Sequence, residues 1–368
     1  MDVSLSAAPD DVDELLRRVA IELKLPGAKR AFAGERHGLG TQGALLFAVY
    51  RLHAERLTNG RPGVSPVMTI EEPEAHLHPT AQRALGAALR TLPGQVVLTS
   101  HSPEMVTANV KPVLMRNERG TAEARTAIWS DDIAANQRAL FARCILIAEG
   151  LEALALDVCA RSLAFDLHER GIEVIDARGQ GNIARLWQVF GPLGFNIPVA
   201  CLADGDVPQH LTTFLNALHN GGLLAQVPAA NQRNRVLAQH AYFVVKAERN
   251  VEEALIEHQS AEVDAVLLAF SGLTFQAWRA SVAANKLSQK RCNRANALRG
   301  HRRRQLVSGT STIADLSDKE ARVERLAREK GALPAILRDL TVNGTDATRL
   351  PVGFRNALRW VEKRTRRT

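Results

Sequence analysis

Nowhere in the 368 residues does a lysine directly follow a glycine. That excludes a Walker A loop, whose Gly-Lys-Ser/Thr end supplies the lysine that reaches the β- and γ-phosphates of a nucleotide. Cysteine is scarce. The four present, Cys144, Cys159, Cys201 and Cys292, lack the paired spacing of a disulfide framework or a zinc site. A reducing, cytoplasmic setting is the expectation. No apolar run approaches the roughly 18 residues of a membrane span. Met1-Asp-Val-Ser-Leu5 has neither the basic start nor the apolar stretch of a signal peptide. Tyrosine occurs twice, as Tyr50 and Tyr242, which leaves little room for a tyrosine nucleophile. Repeats and low-complexity segments are absent.

What is present is ordinary for a soluble globular chain: 46% hydrophobic and 23% charged residues, in a length that accommodates two or three domains. The formal net charge is +8, unevenly spread. From Arg279 to Arg304 every charge is basic, including Lys286, Lys290, Arg291, Arg294, Arg299, Arg302, Arg303 and Arg304. Such a cluster suits a polyanion; the bland alternative is a solvated helix face. The C-terminal Lys363, Arg364, Arg366 and Arg367 suit a polyanion or a frayed tail equally.

Residues 1–25 carry Leu15, Leu16, Val19 and Leu23 at helical spacing, which predicts an amphipathic helix. Gly34 to Gly43 is a glycine-rich loop feeding a helix at Ala44, a place that offers free N–H groups to an anion. Val67–Glu71 and Gln95–Thr99 read as short strands, the first ending on Glu71-Glu72 and the second running on to His101. Two further strands are expected at Lys111–Arg116 and Thr126–Ser130, completing the sheet of the front half.

From Cys144 the pattern becomes strand, helix, strand, helix, strand, helix, strand. The apolar runs are 144–148, 172–176, 198–203 and 241–245. That alternation predicts parallel strands with helical crossovers. Acids stand at the strand ends: Glu149 after the first, Asp176 on the second, and Asp204-Gly205-Asp206 after the third. Ligands of open α/β sheets gather outside the carboxyl ends of the strands. Carboxylates collected there repel each other unless a hard cation such as magnesium neutralises them. Asp-Gly-Asp is also good turn sequence, so the pair alone does not decide the matter.

Taken in order, Gly38-Leu-Gly40-Thr-Gln42, Glu71-Glu72 and His101 resemble the signature motif, Walker B acids and switch histidine of an ABC-type ATPase head. Glu149-Gly150, Gly179-Gln-Gly-Asn182 and Asp204-x-Asp206 resemble a TOPRIM domain, and the two together resemble the OLD (overcoming lysogenization defect) family of nucleases. The implied fold is α/β. It comprises a partial ABC-ATPase-like lobe (1–135), a Rossmann-like parallel-sheet TOPRIM core (141–260), a basic helical insertion (261–326) and a C-terminal segment returning to the TOPRIM domain with a basic tail (327–368). Residues 1–33 contain nothing resembling the family's P-loop. ATP binding by this chain alone is therefore not expected. Truncation, a split gene and decay all remain open.

The resemblance implies roles residue by residue. Glu71 would hold magnesium through water, Glu72 would activate the attacking water, and His101 would sense the γ-phosphate. Gly38, Gly40 and Gln42 would reach a partner's nucleotide. In the TOPRIM domain Glu149, Asp204 and Asp206 are the implied metal and catalytic acids. The family's second acid falls at Ala153, so Glu152 would substitute for it from the same helix face. Glu252 is the implied late acid, with Glu253 as the alternative. Lys330 would stabilise charge on the phosphate, or is an ordinary surface lysine. Lys286, Lys290, Arg291, Arg294, Arg302, Arg303 and Arg304 would hold DNA, while Trp278 packs the insertion or stacks on a base.

The expected activity is DNA endonuclease chemistry with two magnesium or manganese ions, in phage defence or repair. The expected partners are DNA, a second copy of the chain, and a separate chain supplying the ATPase front half or acting as a helicase-like companion, with no membrane. The alternative is a non-catalytic DNA- or ATPase-binding partner with a degenerate site. Type II topoisomerase and primase fit less well: the first needs a tyrosine nucleophile in a separate domain, and the second lacks the ATPase-like front.

Overall fold

In a computed structural model, residues 2–6, 20–24, 26–27, 29–33, 36–60, 65–106, 110–118, 121–127, 131–205, 208–247, 251–299, 305–342 and 350–366 are described. They form two compact units, Met1–Lys111 and Pro112–Thr368.

The first unit begins with strands rather than a helix. Asp2–Ser6 (β1) pairs antiparallel with Ala20–Lys24 (β2), and β2 with Phe32–Ala33 (β3). The expected helix over residues 1–25 is thereby corrected. Leu23 lies opposite Val3 in the ladder, while Leu15, Leu16 and Val19 fall outside the described residues. Helical spacing of four leucine and valine positions is weak where a strand partner is at hand, because pairing and burial decide strand formation more than intrinsic preference. Helix α1 (Leu39–Gly60) follows. Val67–Glu71 (β4) and Gln95–Thr99 (β5) pair in parallel, with helix α2 (Pro79–Leu89) in the crossover. One face of this pair, with Met68, Ile70, Val96 and Leu98, packs with Leu85, Leu89 and Phe47. Val67 and Val97 alternate to the other face and are exposed.

The second unit opens with a hairpin, Val113–Glu118 (β6) against Thr121–Thr126 (β7). Among the described residues its ladder joins only these two strands and not the β4–β5 sheet it was expected to complete; residues 128–130 of the expected second strand lie outside the described residues. Two strands separated by a two-residue connection close on each other first.

The main sheet is Cys144–Ala148 (β8), Ile172–Asp176 (β9), Val199–Gly205 (β10) and Tyr242–Ala247 (β11), in the order β11-β10-β8-β9. All three pairings are parallel. All five residues of β8 are buried, as a strand covered on both faces must be. On one face Cys144, Leu146 and Ala148 share a core with helices α3 (Leu151–Ser162), α7 (Val251–Ser271), α11 (Leu333–Val342) and α12 (Val352–Thr365). Opposite lie α4 (Ile183–Phe190) and α5 (Pro208–Asn220), where the Trp187, Phe214 and Tyr242 rings meet at 4.9 and 4.3 Å between centroids. Each fully buried leucine or isoleucine here contributes about 1.5–3 kcal/mol. Gly353 lets α12 lie directly on β11: a Cβ there would sit 2.5 Å from the Val244 carbonyl oxygen. A short helix α6 (Arg233–Gln239) precedes β11.

Helices α8 (Phe275–Val282), α9 (Gln289–Arg299) and α10 (Asp318–Arg328) enclose a smaller core of Phe275, Trp278, Leu287, Cys292, Ile313 and Leu316. Trp278 is buried in it, so its indole packs. Among the described residues no helix is long and apolar enough to cross a membrane.

Candidate active site

The carboxyl ends of the parallel strands deliver the acids. Glu149 leaves β8 and passes into Gly150, whose φ of +54° and ψ of −120° only glycine adopts without strain. Asp176, the last residue of β9, holds that turn: its Oδ1 accepts the Gly150 N–H at 2.7 Å and the Arg178 N–H at 2.8 Å. Asp204 stands next to last in β10, and its Oδ1 accepts the Val251 N–H at 3.0 Å, at the start of α7. Glu252 is the next residue of that helix and is 1% exposed. Lys330 comes from the turn before α11, its Nζ 2.9 Å from Glu252 Oε1.

Electrostatics tie these groups together. Burial pushes the Glu152 carboxyl up to about 7; Glu252 and Glu149 push the same way, and Lys330 opposes them. Burial works against the Lys330 charge, but the carboxylates of Glu252, Glu152 and Asp204 outweigh it and hold the ammonium above its ordinary range. Thus Glu252, Glu152 and Asp204, distant in the chain, act on Lys330 at one end of one sheet, and Glu149 acts on Glu152. Glu152 turns inward and is buried. Of the two late acids, Glu252 meets Lys330, whereas Glu253 lies 3.8 Å from Arg294. Asp206 falls outside the described residues.

Among the described residues no three acidic, histidine or cysteine side chains already form a ready-made metal cage. The donor chemistry nevertheless fits a hard cation. All candidate ligands are carboxylate oxygens, and both Glu252 oxygens are buried without a well-formed hydrogen bond, although the Lys330 ammonium stands beside one of them. A buried carboxylate in that condition is costly unless a positive charge attends it. In this arrangement lysine is that charge.

In the first unit, Glu71 ends β4 and is exposed. Glu72 follows with φ +42°, its N–H bonded to the Thr99 carbonyl at 3.0 Å. Its carboxylate lies 3.2 Å from His101 Nε2. Two candidate residues with separate expected roles therefore lie side by side. Gly38 offers its carbonyl to the Thr41 N–H in the first turn of α1, and the Gln42 side chain bonds the His37 carbonyl at 2.8 Å. Gly40 packs close to Leu77, where a Cβ would lie 3.1 Å from the leucine Cδ2.

The basic insertion divides. Lys286 and Lys290 are exposed. Arg291 is ion-paired with buried Glu324, and Arg294 faces buried Glu253, so both charges are matched by acids within the fold. Clustering in sequence does not reveal this, because both acidic partners lie 30 or more residues away in the chain. Arg302, Arg303 and Arg304 fall outside the described residues.

Two residues received no role from the sequence. Asp176 had a legible signal, since it ends a strand as Glu149 and Asp204 do. Buried Glu74 had little: it accepts from the Ser100 hydroxyl and, at 3.0 Å, from the His101 N–H, fixing the loop that carries the histidine.

Comparison with known proteins agrees with the motifs. Residues 20–106 match the family described as AAA ATPase domain. Residues 140–206 match Overcoming lysogenization defect protein-like, TOPRIM domain. The chain thus carries an ATPase-type segment followed by an OLD-like TOPRIM domain, the order its motifs predict. No curated protein matches it. Among solved structures, the C-terminal region of the Burkholderia pseudomallei OLD protein is similar at 20% identity and a TM-score of 0.39, covering 61% of this chain and 99% of that one. The C-terminal region of the Xanthomonas campestris pv. campestris OLD protein is similar at 20% identity and a TM-score of 0.42, covering 62% and 96%. TOPRIM domains generally use divalent metals such as magnesium.

Proposed function

We propose that the second unit is a divalent-cation-dependent DNA endonuclease. The observation that carries this reading is the gathering of Glu252, Glu152 and Asp204 around Lys330, with Glu149 beside Glu152, at the carboxyl ends of β8, β10 and β11. These acids, with Asp206, would hold magnesium or manganese. When bound, a pair of such ions supplies an activated water and neutralises the leaving oxygen of a phosphodiester. The chain's own residues supply the rest. Asp176 fixes the turn that aims Glu149. Asp204 is positioned by its bond to the first turn of α7. Lys330, paired with Glu252 beside the other acids, would neutralise charge developing on the phosphate. Lys286 and Lys290 would hold the DNA backbone without reading sequence. Glu72 and His101 support an ATPase-type switch in the first unit, with a second copy of the chain as a proposed partner.

Purified protein should nick plasmid with manganese, and Asp204→Ala should abolish nicking. Equal nicking by the two proteins would sink the assignment. A second reading is a non-catalytic DNA-binding partner. Metal-dependent DNA binding without any cleavage would select it.

A further inference from the structure

We infer that Arg178 is a backbone-phosphate contact of this site, holding a phosphate of the nucleic-acid strand laid across the rim beside Glu149. The inference rests on reading that rim as a DNA-cleaving site.

Arg178 stands two residues past the end of β9, on the rim that carries the acids. Its φ is +51°, the left-handed region that a side chain other than glycine, asparagine or aspartate rarely occupies. The conformation is imposed by Asp176, whose single oxygen accepts both the Arg178 N–H and the Gly150 N–H. Arg178 and the Glu149–Gly150 turn are therefore anchored to one atom, their backbone nitrogens two hydrogen bonds apart. The turn is fixed from its far side as well. The Asn182 side chain donates to the Ala177 carbonyl at 2.9 Å, and a Cβ on Gly181 would lie 3.6 Å from the His210 ring of α5. Strained, non-glycine backbone held this firmly is characteristic of functional sites.

The side chain itself is exposed, and among the described residues no carboxylate lies within ion-pair distance of it. That sets it apart from Lys330, which attends Glu252. A phosphodiester approaching four carboxylates meets repulsion that metal relieves only at the scissile group. Neighbouring phosphates need a fixed cation of their own. A guanidinium is suited to that task, because its planar fork grips phosphate oxygens in pairs.

The test uses Arg178→Gly and Arg178→Lys in the full chain. Glycine removes the guanidinium and is the residue best fitted to the local φ, so folding is not put at risk. Binding of a fluorescein-labelled duplex is followed by anisotropy in EDTA from about 50 to about 200 mM salt, and plasmid nicking is measured in manganese. Arg178→Gly should bind roughly five- to tenfold more weakly, with the log–log salt slope reduced by about one. In nicking, KM should rise while kcat changes little. Arg178→Lys should restore the slope but only part of the affinity. Wild-type affinity and slope in Arg178→Gly would overturn the proposal, as would a wild-type protein that binds no DNA. A wild type that binds but never cleaves would sink the nuclease reading alone, and the slope comparison would still decide Arg178.

Discussion

Replacing Lys330 by methionine keeps the side-chain length and removes the ammonium that attends Glu252. The Glu252 side chain is 2% exposed and that of Lys330 46%. Removing one partner of a fully buried pair costs about 3–5 kcal/mol, because the other charge is left without compensation. Water reaches this ammonium, so screening reduces the expected loss to about 2 kcal/mol. The cation reading adds a second consequence. Without the lysine, Glu252 and Glu152 lack a positive neighbour, and a divalent ion has no ammonium to displace. Manganese at about a hundredfold above its Kd adds about 2.7 kcal/mol through linkage. It should therefore raise the urea midpoint of Lys330→Met more than that of the wild type. The described tryptophans, Trp187, Trp278 and Trp360, belong to the second unit, so tryptophan fluorescence follows its unfolding. The measurement is a pair of urea titrations, in EDTA and in manganese, near pH 8. Equal midpoints for wild type and mutant in EDTA would show that no unscreened carboxylate cluster surrounds Lys330. Equal gains from manganese would show that the lysine does not stand where a cation binds.

Glu152 makes the same site sensitive to pH. Its carboxyl is raised from an ordinary 4.5 to about 7, so between those values the folded chain holds a proton that the unfolded chain has lost. Metal-free stability should fall as pH rises across that window, by on the order of 2 kcal/mol. Glu152→Gln should flatten the dependence, and an unchanged slope in urea titrations at pH 5 and pH 8 would refute the raised carboxyl. Asp176→Ala removes the acceptor for two backbone N–H groups and should cost about 1–3 kcal/mol. It should also slow nicking by loosening the Glu149 turn, whereas Asp176→Asn, which keeps an acceptor oxygen, should retain most of both. Arg291→Ala leaves Glu324 buried with Arg328 as its remaining ionic partner and should lower stability, read by tryptophan fluorescence. Lys286→Ala with Lys290→Ala should leave stability unchanged and reduce the salt slope of DNA binding by about two. The opposite pattern would return Arg291 to the DNA-holding face.

Local sequence was enough to place the four parallel strands to within a residue or two, because strands buried on both faces announce themselves as short apolar runs. It was enough to put Glu149 and Asp204 at strand ends, and to order the ATPase-type and TOPRIM segments. It misjudged residues 1–25 and the β6–β7 hairpin, whose strands are decided by partners rather than by their own periodicity. Tertiary structure alone decided that Glu252 rather than Glu253 faces Lys330, that Glu152 turns inward, that Arg291 and Arg294 are matched by buried acids, and that Asp176 ties Arg178 to the Glu149 turn. The division has one physical cause. Apolar periodicity and strand-end chemistry are written within a few neighbouring residues, whereas a charge's role depends on what lies within a few ångströms of it, and those neighbours come from anywhere in the chain.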